Sequence, residues 1–183
     1  MLFRSEQQLG VPILMMSAPE DMAGIYAGIE TLGDATGHAA ESADLVTAMQ
    51  ERIDAVARPD EADPPTFFHE LDNTYYSVGP GSFIDDVYAT LGAVNIAEST
   101  GSAFPQLTAE AIIQAGPDVI ILADESYGES LDTVSARAGW DAIPAVENER
   151  VYGIDPDIAS RPGPRLAELA QTLAGYLYED VAY

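Results

Sequence analysis

The sequence predicts an α/β fold, a three-layer lobe with a mainly parallel central sheet, preceded by a long connecting helix. Three observations predict it. Short β-branched or aromatic runs at residues 66–71 (TFFHEL), 118–122 (DVIIL) and 150–154 (RVYGI) alternate with stretches of helical spacing. The run at 118–122 is continuously apolar after its aspartate, as a parallel strand covered on both faces must be. The proline-rich acidic stretch at 58–65 (RPDEADPP) is the clearest boundary, giving units at 1–58 and 66–183 with a linker at 59–65.

The elements follow in order. Residues 10–16 (GVPILMM) are an apolar run closed by Ser17-Ala-Pro19 and are expected to form a buried strand. Glu20 and Asp21 open a helix whose apolar positions Met22, Ile25, Ile29 and Leu32 keep helical spacing, with Gly33 as its stop. A longer helix over 41–56 carries Leu45, Met49, Ile53 and Val56 on one stripe. After the linker and the strand at 66–71, residues 75–81 form a loop. Ser82 then caps a helix bearing Phe83, Val87 and Leu91, with Asp85 placed for a capping box and Gly92 as the stop. A loop through Asn95 and Gly101 leads to Thr108, the cap of a helix ending at Gly116-Pro117. A short helix is expected at 131–136, and a last one over 163–178 buries Leu166, Leu169, Leu173 and Leu177.

Composition excludes several functions. There are 31 acidic residues against seven basic ones, all arginine, and the net charge is −24. Such a molecule is repelled by nucleic acid and by anionic membranes. Cysteine is absent, which rules out disulfides, thiolate metal sites and thiol nucleophiles. No run reaches the length of a membrane span. The opening MLFRSE lacks a charged-then-apolar leader pattern, so an exported form is expected to have lost its signal.

Positive signs of catalysis are missing: the sequence has no GxSxG elbow, phosphate-binding GxxxxGK loop or HExxH pair. His38 and His69 are too far apart to suggest a local ligand pair, and His69 reads as a satisfied strand histidine. No catalytic or metal-ligating residue is assigned. Gly79-Pro-Gly81-Ser82 reads as a tight turn with an N-cap, or as an anion cradle. Tyr75, Tyr76, Phe83 and Phe104 fall in or beside loops on one side of the sheet, where crevices beyond strand ends take ligands. Arg161 lies in the loop before the final helix. Arg165 sits where the helix dipole disfavours a cation, so it is either paired with a carboxylate or kept for binding.

With these motifs in this order, the chain resembles the ABC-importer substrate-binding proteins that carry cobalamin, ferric siderophores or heme, in which two lobes are joined by a long helix. The resemblance makes 1–58 the end of a first lobe plus the inter-lobe helix, and 66–183 a complete second lobe. It matches FPQLTAE at 104–110 to the segment that presents a glutamate to the permease, which assigns docking to Glu110. Residues 157–161 (DIASR) match a loop that touches ligand in cobalamin binders, although Ile158 and Ser160 depart from the family pattern. The loop from Tyr75 to Phe83 matches the other ligand-facing loop. The resemblance thus implies ligand contacts at Tyr75, Tyr76, Gly81, Ser82, Phe83, Phe104, Asp157 and Arg161, with Arg161 meeting anionic groups. It implies an extracytoplasmic binding component without enzymatic activity. Its ligand is a metal chelate, its partners are an ABC permease and ATPase, and any membrane link runs through the permease or a lipid anchor. Most of the first lobe has no counterpart here. The alternatives are an enzyme or chelatase-like protein on a related scaffold, starting from His69 and Glu70, and a structural remnant that pairs with another chain.

Overall fold

A computed structural model of the protein describes residues 10–58, 60 and 62–178. The opening MLFRSE and linker residues 59 and 61 lie outside them.

Four parallel strands form one sheet: β1 (Thr66–Glu70), β2 (Val94–Asn95), β3 (Val119–Leu122) and β4 (Val151–Gly153), in the order β2-β1-β3-β4. In register, Phe67 faces Asn95 on one side and Val119 on the other, and Ile121 faces Tyr152. β2 was expected as loop. Two residues are too few to show a periodicity, and only pairing with Thr66 and Phe67 makes them a strand.

Successive strand residues point to opposite faces, and the core divides accordingly. Phe67, Val119 and Ile121 join α3 (Phe83–Thr90) and α8 (Leu166–Leu177) in one apolar cluster, which also takes Ile25, Met49 and Ile53 from α1 (Met22–Thr36) and α2 (Ala39–Asp54). Phe68, Ile120 and Leu122 join the other cluster, built from α4 (Ala109–Ala115), α5 (Leu131–Ser135), α6 (Pro144–Glu147) and Trp140. Both faces are therefore covered, and the all-apolar β3 run follows from that. Phe67 stacks on Tyr88 at 3.6 Å between ring centroids, and Tyr88 lies 2.9 Å from His69 Nδ1. Burial of that ring lowers the His69 pKa to about 4, so the imidazole is neutral.

Most caps are where the side-chain chemistry puts them. Asp21 accepts from Gly24 N, Ser82 from Asp85 N and Thr108 from Ala111 N. Asp85 does not complete a capping box. Its carboxylate instead accepts from Asn95 Nδ2 at 2.6 Å, a long-range partner that local spacing cannot reveal. The run at 10–16 is not a strand: it pairs with none of the described strands, and Val11, Leu14, Met15 and Met16 are exposed.

α1 does not stop at Gly33. It runs to Thr36 and ends at Gly37 in the left-handed region (φ 77°). Gly33 serves a different purpose, since a Cβ there would overlap the Ser42 hydroxyl of α2. The two helices cross where one has no side chain. Gly33→Ala should therefore destabilise the protein by about 1–3 kcal/mol in urea unfolding through overpacking, although alanine is the better helix former by about 1 kcal/mol. Ser42→Gly in the same chain should restore stability. Stabilisation by Gly33→Ala alone would contradict this packing.

Candidate functional site

Strand order reverses between β1 and β3, because β2 lies on one side of β1 and β3 on the other. In such sheets the crevice opens beyond the carboxyl ends of the strands at that point. Here it is bordered by the segments after β1 (71–82), after β3 (123–130) and after β4 (154–165), the last carrying the short helix α7 (Pro156–Ala159).

The first border is braced like a strip of sheet. Ser77 N donates to Pro105 O at 2.9 Å, Gly79 N to Ala103 O at 2.9 Å, and Leu107 N to Tyr75 O at 3.0 Å. This lays 75–79 alongside 103–107 and brings Tyr76 opposite Gln106. Tyr76 and Phe104 are left 41% and 52% exposed on that strip. Tyr75 holds φ at 68°, a left-handed conformation uncommon for a residue with a Cβ. Its ring is 5.6 Å from the buried Trp140. Gly81 has φ 90° and turns the chain into α3, whereas Ser82 and Phe83 are buried as its cap and first core residue.

Beneath the crevice lies an ionic network. Glu70, at the end of β1, is 0% exposed and receives two hydrogen bonds from Arg137, both 2.6 Å. The same guanidinium donates to Glu129 at 2.7 Å and lies 4.6 Å from the Trp140 ring centroid and 5.5 Å from that of Tyr75. Burial raises the Glu70 pKa to about 6 against the opposing pull of Arg137, and burial likewise brings Asp124 to about 6. Asp124 Oδ1 is buried without a hydrogen-bond partner. His69 points to the opposite face of the sheet and bonds Tyr88, so it does not meet Glu70 at a common site.

Toward β4 the crevice widens to a cleft of about 650 Å³ lined by Glu125, Ser126, Ile154, Asp155, Pro156 and Asp157. Glu125 lies directly on the Gly153 backbone, where a Cβ would overlap its carboxylate. Tyr127 beside it is 88% exposed. Arg161 pairs with Asp157 at 2.8 Å, and Arg165 donates to the Asp157 carbonyl at 2.5 Å. Arg165 thus precedes α8 rather than entering its first turn, and a backbone oxygen is its partner. Glu110 stands exposed in the first turn of α4. Among the described residues, no cluster of three histidine or acidic groups is arranged to hold a metal ion, and no helix is long and apolar enough to cross a membrane.

A second cleft, about 470 Å³, lies at the amino-terminal edge of the sheet between Pro65, Asp118 and Arg150. Its polar groups are used structurally. Asp118 accepts from Thr66 N, and Arg150 donates to the Tyr176 and Leu177 carbonyls.

Residues 3–158 match the family profile described as "Periplasmic binding protein". The chain belongs to that family. It is 32% identical over 181 residues to an uncharacterised ABC transporter substrate-binding lipoprotein of Bacillus subtilis, covering 93% of this chain and 55% of that protein. It is 30% identical over 173 residues to a cobalamin-binding protein of Halobacterium salinarum, with 87% and 45% covered. The chain therefore spans about half the length of these relatives. The periplasmic heme-binding protein BhuT in complex with two hemes superposes with a TM-score of 0.81 at 26% identity, covering 98% of this chain and 71% of that one.

Of the four aromatics singled out in the sequence, Tyr76 and Phe104 lie exposed on the crevice border, Tyr75 packs against Trp140, and Phe83 is buried. Tyr127, Glu125 and the Glu70–Arg137–Glu129 network were not singled out. The available signal was the scarcity of cations, since one arginine among seven that closes a short helix after a strand invites a buried carboxylate partner.

The network has a pH signature. A carboxyl that titrates higher in the folded state than in the unfolded chain contributes stability at low pH that is lost as pH rises through its folded pKa. For Glu70 the window runs from about 4.5 to about 6, and the loss is on the order of 2 kcal/mol. Between pH 4 and 7 the wild type should lose that much more stability than Glu70→Gln in urea unfolding. Parallel profiles would contradict the assignment.

Proposed function

We propose that the protein is the substrate-binding component of an ABC importer for a metal chelate of the corrinoid, heme or ferric-siderophore class, acting outside the cytoplasm and without catalysing a reaction. The observation that carries the reading is a crevice at the strand-order reversal with exposed aromatic side chains on its borders. Family membership and the ligands named for the relatives support it. A cleft of about 650 Å³ is within the range typical of small-molecule sites.

In this reading Tyr75, Tyr76 and Phe104 stack on the flat or apolar faces of the chelate, with Tyr127 added from the opposite border. Gly81, Ser82 and Phe83 hold the turn that carries the tyrosines. Asp157 and Arg161 meet polar groups at the rim. Glu110, exposed beside the capped start of α4, engages a basic pocket on the permease. Residues 66–183 are the ligand-presenting lobe, 59–65 the linker, and 1–58 the end of a first lobe with the helix that joins the two.

Trp140 lies under Tyr75 and reports on the crevice. Titration with cyanocobalamin, hemin and ferrioxamine B, corrected for chelate absorbance, should give saturable quenching with at least one of them. Tyr75→Ala and Phe104→Ala should each weaken that binding roughly tenfold. Saturable quenching by none of the three would contradict the reading.

A further inference from the structure

The cleft after β3 and β4 is lined by three carboxylates, from Glu125, Asp155 and Asp157, and by no cation. Glu125 is seated on Gly153 and is not ion-paired among the described residues. Among the described residues Asp155 accepts the backbone N of Asp157, a capping bond that leaves its negative charge in place. The cations nearby are already engaged. Arg161 is paired with Asp157, Arg165 is held on the Asp157 carbonyl, and neither lines the cleft. Arg137 is shared between Glu70 and Glu129. The expectation that Arg161 receives anionic groups of the ligand therefore finds that arginine carrying a carboxylate of its own.

We infer that this cleft selects metal chelates that are neutral or cationic and present N–H or ammonium donors on their rim, and discriminates against polyanionic chelates. The inference rests on the chelate-binding reading above and narrows it. Carboxylates at fixed positions in a concave site act as acceptors for amide or ammonium hydrogens, and each repels a carboxylate or catecholate brought within a few ångströms. The net charge of −24 repels anions everywhere on the surface, so the distinguishing claim is local.

Equilibrium dialysis of the full chain at low salt tests it. The probes are ferrioxamine B, which carries one positive charge, neutral cyanocobalamin, and ferric enterobactin, which carries three negative charges. The cation should bind at least roughly tenfold more tightly than the trianion, with a ratio that narrows as salt is added. A variant with Glu125→Gln, Asp155→Asn and Asp157→Asn should bring the ratio of cation to trianion binding toward one. A variant with Glu30→Gln, Asp44→Asn and Glu51→Gln, which removes as much charge from exposed positions on α1 and α2, should leave the ratio as it was. Equal or tighter binding of the trianion would overturn the inference while the binding function stands, as would an equal effect of the two variants. Binding of none of the three chelates overturns the function itself and the inference with it.

Discussion

The Arg137 guanidinium, bonded to Glu70 and Glu129 beneath the crevice, is the contact on which the site's geometry depends. Glu70 ends β1 with no exposed surface, and a carboxylate there is sustainable only with a cation bonded to both its oxygens. Arg137 follows α5, and Glu129 lies in the segment after β3. One side chain thereby joins the end of the central strand to the opposite border of the crevice. Its flat face rests on Trp140 and approaches Tyr75, whose left-handed backbone is held by hydrogen bonds with Asp72 and Leu107. Strain and buried charge meet at the place where the sheet topology opens a crevice.

The fold was largely legible because its signals are local and periodic. The apolar run of β3, the side-chain caps at Asp21, Ser82 and Thr108, and the leucine stripe of α8 each state their structure within a dozen residues. The misreadings have the opposite character. β2 exists only through its neighbour, and Asp85 leaves its own helix for Asn95. Residues 10–16 are apolar enough for a strand and have none described to pair with. The borders of the candidate crevice were half legible for the same reason. Aromatic loop residues show in one dimension, whereas an ion pair between positions 70 and 137 is set by the fold.

The geometry also changes the role of the arginines. The resemblance assigned Arg161 to anionic groups of a ligand, and the sequence left Arg165 as either paired or kept for binding. The structure instead uses three arginines to hold loops: Arg137 on two carboxylates, Arg161 on Asp157, and Arg165 on a carbonyl. What the crevice offers a ligand is aromatic faces and carboxylate oxygens. Both suit the bulky chelate with a donor-rich rim that is proposed as the ligand.

The central claim is that the Arg137 network orders the crevice borders rather than the sheet as a whole. Amide hydrogen exchange on the wild type and on Arg137→Met tests it most directly. The account predicts that amides in 71–76 and 123–130, including Leu71, Tyr75 and Ala123, lose protection while those inside β1 and β3 keep theirs. Uniform loss across the sheet, or unchanged protection of both borders, would contradict it.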